Sequence, residues 1–104
     1  MKIVQVTYTA KAGFSQQNQL NIKNVMADLQ QLAHAGIFYH TCMGSDGKTF
    51  IHTAFFQSDE DQKLLASLAS FKSFQEQLKA SIPEVPPRQE LLTLVDAAPA
   101  IFNS

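Results

Sequence analysis

The chain has 104 residues, of which 45% are apolar and 16% charged, with a formal net charge of −1. That is room for one domain, with no basic stripe and a single arginine (Arg88), which argues against nucleic-acid binding. A lone cysteine, Cys42, excludes an internal disulfide or a metal site built on several thiolates, and no apolar run approaches the roughly 18 residues of a membrane span.

Residues 2–9 alternate as a β-strand, with Val4, Val6 and Tyr8 on one face and Ile3, Gln5, Thr7 and Thr9 on the other. This start lacks the long apolar core of a signal peptide, so a cytoplasmic protein is expected. Ser15 is a plausible N-cap for a helix whose stripe runs through Ile22, Val25, Met26, Leu29, Leu32 and Ala33. Gly36 is expected to end it, with His34 in the last turn near the negative end of the helix dipole. Residues 37–43 and 49–57 read as a hairpin about Gly44-Ser45-Asp46-Gly47-Lys48. The second arm carries large apolar groups on both faces and should lie centrally in a sheet. Cys42, on the first arm, is expected to be a small buried hydrophobe.

Ser58 followed by Asp59, Glu60 and Asp61 marks another helix start. These carboxylates point in different directions on a helix, so no metal site is expected there. Leu64, Leu65, Leu68, Phe71, Phe74 and Leu78 continue the apolar face, with a bend or restart near residues 67–70. Pro83, Pro86 and Pro87 are expected to form a stiff connector to a last strand at 89–97. A domain over residues 1–98 and a short tail, 99–104, follow from these boundaries.

This order, β-α-β-β-α-β with right-handed crossovers, predicts an α+β, ferredoxin-like fold: a four-stranded antiparallel sheet with two helices on one face. Apolar side chains on both faces of strands 49–57 and 89–97 then leave one face uncovered. Pairing of two copies through that face, as a homodimer, removes the exposed patch.

Element order, length, the Phe-rich third strand leading into Ser58-Asp59-Glu60-Asp61, and Ser70-Phe71-Lys72-Ser73-Phe74 make the chain similar to the dimeric α/β-barrel superfamily. Within it, the chain resembles the antibiotic-biosynthesis-monooxygenase-like domains from Lys2 to about Val95. The resemblance implies a homodimer whose sheets pack into a barrel, with a small pocket between sheet and helices in each protomer. It also implies relatives that oxidise aromatic polyketides with molecular oxygen and no cofactor, and others that degrade haem. Haem-degrading relatives use a tryptophan with an asparagine and a helical histidine; this chain has no tryptophan and has Ser67 near the expected histidine position.

No motif names a reaction. His40 and His52 are the candidate catalytic residues, one on each hairpin arm. A two-residue Asp46-Gly47 loop would set residue 41 opposite 52 and put the histidines on opposite faces. A three-residue Ser45-Asp46-Gly47 loop would set residue 40 opposite 52 and make the imidazoles neighbours; it is favoured because Asp-Gly suits the end of a type I turn and its bulge. Tyr8 and Tyr39, each an apolar ring with a polar tip, and Arg88, a carboxylate partner, are the candidate ligand-binding residues. Two functions remain open. One is a small enzyme acting on a hydrophobic, oxygen-bearing molecule with no tightly held cofactor. The other is a non-catalytic dimer that binds a small ligand or a protein.

Overall fold

The computed structural model describes residues 1–34 and 36–102. Its elements are β1 (Lys2–Thr9), a single 3-10 turn (Ala12–Phe14), α1 (Ser15–Leu32), β2 (Ile37–Met43), β3 (Thr49–Phe56), α2 (Asp59–Ser67), α3 (Ala69–Ala80) and β4 (Val85–Leu92). The sheet is antiparallel in the order β2-β3-β1-β4, which is ferredoxin-like topology. β3 is indeed central, between β2 and β1.

One face of the sheet meets the helices. Val4 and Tyr8 of β1 and Phe50, Ala54 and Phe56 of β3 pack there with Ile22 and Val25 of α1, Leu65 of α2, and Phe74 and Leu78 of α3. Period-two alternation in the strands and the 3.6-residue stripe in the helices converge on this single core. The cross-strand register puts Ile3, Phe38, His40, Ile51 and Phe55 on the opposite, helix-free face. Phe38 is 45% exposed there and lies edge-on to Phe55 at 5.7 Å. Cys42 shares that face on an edge strand and is exposed rather than buried. No helix among the described residues is long and apolar enough to cross a membrane.

Several boundaries differ from expectation, each for a local reason. Ser15 does not cap α1. The 3-10 turn runs directly into the helix, and the Ser15 hydroxyl instead donates to the Gly47 carbonyl at 2.6 Å, fastening α1 to the hairpin. α1 ends at Leu32 because Ala33 already takes the left-handed conformation, φ 49°, so His34 lies beyond the helix. Gly36 answers a different demand. A Cβ there would fall 2.5 Å from Asp61 Oδ2. The expected restart near residues 67–70 is present: Leu68 is extended and separates α2 from α3, giving three helices in place of two.

Ser58 caps α2 as expected. Its hydroxyl accepts from the Asp61 N–H, and the Asp61 carboxylate accepts from the Ser58 N–H, a reciprocal capping box. Pro86 and Pro87 do not form a connector before the last strand; they lie inside it, and β4 ends at Leu92 rather than 97. An edge strand has one unpaired side, and the register slips between Thr7 and Thr9 beside the prolines, so their missing N–H groups are accommodated. Of the tail expected at 99–104, the last two residues lie outside the described residues.

Candidate functional site

The hairpin decides where the histidines go. Its innermost strand pair is Met43–Phe50, and Gly44 N–H donates to the Thr49 carbonyl beyond it at 2.8 Å. A turn closed by Gly47 N–H to the Gly44 carbonyl at 3.0 Å follows, with Gly47 at φ 75°. The Asp46 carboxylate accepts from the N–H groups of Lys48 and Thr49 and from the Thr49 hydroxyl. These bonds, that of the Thr49 hydroxyl foremost, hold its pKa down at about 2. Four residues, 45–48, thus bridge the arms, and Thr41, not His40, stands opposite His52. The favoured three-residue loop is therefore corrected. Asp46 spends its side chain on the two residues after Gly47, which draws Lys48 into the loop and shifts the pairing by one.

The consequence is that His40 and His52 occupy opposite faces. His40 is on the helix-free face beside Phe38 and Phe55. His52 points into the core and is only 5% exposed. Arg88, the fourth residue of β4, is exposed on the helix-free side and pairs with Glu90 at 3.1 Å, away from His52. Of the five candidate residues, the fold brings together Tyr8, Tyr39 and His52.

These three form a continuous buried network. Tyr8 Oη is 2.8 Å from His52 Nε2, and Tyr39 Oη is 2.6 Å from His52 Nδ1. Thr41 Oγ1 is 3.0 Å from the same Nδ1, and Asn18 Nδ2 donates to Tyr8 Oη at 2.8 Å. Burial disfavours charge on each ring. It pushes the His52 pKa down to about 4 and raises both phenols well above the ordinary tyrosine value. At neutral pH the cluster is uncharged and works by hydrogen bonding.

Between the sheet and α3 lies a cavity of about 640 Å³. Tyr8, Tyr39 and His52 are at its sheet side, Phe71 and Phe74 of α3 face them, and Pro83, Pro86 and Pro87 line one end. Phe74 packs against His52 with ring centroids 5.3 Å apart and the rings tilted by 39°. An adjoining space of about 220 Å³ under α2 shares Val6, Tyr39, His52, Phe71 and Gln75 with it. An apolar hollow with a few convergent polar groups is the usual form of a small-molecule site. A groove of about 570 Å³ between α1 and β2 is also present, but His52 is not on its walls. Among the described residues, no group of three or more His, Cys, Asp or Glu side chains is placed to hold a metal ion.

Asn18, Thr41, Phe71, Phe74 and Gln75 join the site without a motif to mark them. Asn18 does carry a signal. It lies four residues before Ile22 on the stripe that continues to Val25 and Leu29, and a fully buried polar residue on such a stripe needs a partner.

The arrangement of four strands and three helices among the described residues has close counterparts among solved structures. A Nitrosomonas europaea protein described as a candidate antibiotic biosynthesis monooxygenase superposes over 92% of this chain and 100% of its own, with a TM-score of 0.77 at 10% identity. Rv0793 from Mycobacterium tuberculosis gives 0.76 at 12% identity, over 93% and 97%. A variant of SnoaB from Streptomyces nogalater, a cofactor-independent oxygenase, gives 0.65 at 13% identity, over 95% and 96%. The chain has the fold of the antibiotic-biosynthesis-monooxygenase-like domains. No protein-family model matches the sequence, and no curated protein matches it significantly. The likeness is thus one of backbone, and what this fold carries here rests on its own residues.

Proposed function

We propose that this protein pairs as a two-fold dimer through the helix-free sheet face and holds a small, hydrophobic, oxygen-bearing molecule between sheet and α3, acting on it as a cofactor-independent, monooxygenase-like enzyme. The observation that carries this reading is the neutral His52, held between two phenols at the edge of a largely apolar cavity. Hydrogen bonds offered to a ligand oxygen in such surroundings count for more than in water. Polarising the carbonyl of an activated aromatic ketone makes a neighbouring CH2 more acidic. Once that proton has passed to solvent water, the enolate carries the electrons that oxygen requires, so no separate reductant is needed. The likeness to a cofactor-independent oxygenase supports this choice of reaction class. Ile51, Phe38 and Phe55 on the uncovered face support the dimer.

Anthrone is a suitable probe, since its oxidation to anthraquinone consumes one oxygen molecule and releases one water. With chelator present, the protein should accelerate oxygen uptake at least tenfold over the spontaneous rate, and Tyr39→Phe should return it to background. One observation favours a second reading, a non-catalytic binding module: with its pKa near 4, His52 is a weak base. Saturable anthrone binding without added oxygen uptake would establish the module. Absence of binding would remove both readings.

A further inference from the structure

The network around His52 has a direction, and the direction decides what the cavity offers a ligand. Tyr8 Oη has one hydrogen and two neighbours in the network, Asn18 and His52. Asn18 Nδ2 donates to it, so the phenol accepts on that side. Asn18 is fully buried, and its Oδ1 has no hydrogen-bond partner. A carbonyl without a partner is a milder defect than a buried N–H without one, which favours this orientation of the amide. The Tyr8 hydrogen is then free for His52 Nε2. If it went elsewhere, a buried O–H would be unpaired, at a cost that folded proteins rarely accept.

An imidazole that accepts at Nε2 and is neutral carries its hydrogen on Nδ1. That hydrogen points to Tyr39 Oη at 2.6 Å and Thr41 Oγ1 at 3.0 Å. Tyr39 therefore accepts from His52 and keeps its own hydrogen. Tyr39 lines both the larger cavity and the adjoining space.

We propose that Asn18 is a positioning residue which, through Tyr8, fixes His52 as the Nδ1–H tautomer, so that Tyr39 presents a hydrogen-bond donor to the cavity and selects ligands bearing a carbonyl or other acceptor oxygen. With the opposite polarity, the Tyr39 hydrogen would be spent on Nδ1 and the cavity would offer an acceptor instead. The ligand half of this inference rests on the cavity being a ligand site; the tautomer half does not.

Two measurements separate them. Long-range proton–nitrogen correlation spectra of the imidazole report the tautomer with no ligand present. The expected result for the wild type is an unprotonated Nε2 and a protonated Nδ1. Asn18→Asp places an acceptor beside Tyr8 and should reverse the tautomer. If that variant does not fold, Tyr8→Phe, which cuts the link, should give a mixture. A wild-type Nε2–H tautomer, or a tautomer indifferent to both substitutions, overturns the role of Asn18.

The second measurement compares 9-fluorenone with fluorene, which differ by one carbonyl in place of a CH2. Fluorenone should bind the wild type roughly tenfold more tightly, as expected for one buried hydrogen bond. Tyr39→Phe should abolish that preference while leaving fluorene binding within about twofold. Equal affinity of the wild type for both overturns the donor assignment. If neither compound binds, the ligand-site reading fails, and the tautomer data still decide the part played by Asn18.

Discussion

His34 Nε2 lies 2.5 Å from Asp61 Oδ1, joining the chain just beyond α1 to the first turn of α2. The same carboxylate accepts from Ser58 in the capping box and occupies the space that a side chain at residue 36 would need. One aspartate thus serves a helix cap, a hydrogen bond to His34 and a close approach of backbone.

That concentration of roles predicts an acid limb in the stability curve. The hydrogen bond with His34, followed by those with Ser58, holds the Asp61 carboxyl below its ordinary value. The folded state then binds this proton less readily than the unfolded chain does. Its stabilising contribution is complete above about pH 4 and is lost as pH falls through the folded value. Urea titrations should show Asp61→Asn less stable at pH 7, with a flatter profile between about pH 5 and 2. Gly36→Ala should cost about 1–3 kcal/mol by overpacking, and the loss should couple to substitutions at Asp61 rather than add to them.

His52 gives a second pH dependence at higher pH. Burial holds its pKa at about 4 against the ordinary 6.5. Between those values the unfolded chain takes up a proton that the folded protein refuses. Stability should therefore be full above about pH 6.5 and decline toward pH 4, by on the order of 3 kcal/mol in the limit of complete burial. His52→Gln should remove this decline. A wild-type profile that is level from pH 7 to 4.5 would contradict the buried neutral imidazole.

The wall of the cavity should divide by role. Phe74 is 6% exposed and packs on His52, so Phe74→Ala should destabilise the protein by about 3–5 kcal/mol. Phe71 is only partly buried at the same cavity, so Phe71→Ala should cost less stability but weaken binding of fluorenone. Chemical denaturation and fluorescence titration measure the two effects separately.

Dimerisation is tested at Phe38. A charge at this half-exposed position should split a dimer that uses the helix-free face, because it would be buried there without a partner. Sedimentation equilibrium at micromolar concentration should show a dimer for the wild type and a monomer for Phe38→Glu. A monomeric wild type of normal thermal stability would end the proposal.

Haem should not bind. Both ring nitrogens of His52 are already engaged by hydroxyls, and the chain contains no tryptophan. Titration followed by Soret absorbance should show no saturable one-to-one complex.

The topology was legible because the alternation in residues 2–9, the apolar strand-length run at 49–57 and the stripes of the helices each speak for their own element. The site was legible only in part. Tyr8, Tyr39 and His52 could be named as polar tips on apolar strands, but their meeting depends on hairpin register. Thr41 opposite His52 is the pairing of the two-residue alternative, not of the favoured three-residue loop, and it is reached with Lys48 in the loop through hydrogen bonds to Asp46 that residue types do not specify. Asn18 does not stand out because the stripe of a helix is carried by its apolar positions. Pro86 and Pro87 suggest a connector because nothing local marks β4 as an edge.

Those two prolines also bear on how the protein behaves in a crowded solution. An outermost strand offers unpaired N–H and C=O groups on which a foreign chain can build, the first step of runaway cross-β growth. Successive residues of a strand direct their N–H groups to opposite sides, so Pro86 and Pro87 together remove one donor from the outer side and one from the inner. A strand adding to β4 would find a regular donor pattern only from Arg88 to Leu92, five residues, with Arg88 and Glu90 among them. The feature that disguised β4 in the sequence thereby shortens the template it presents to its neighbours.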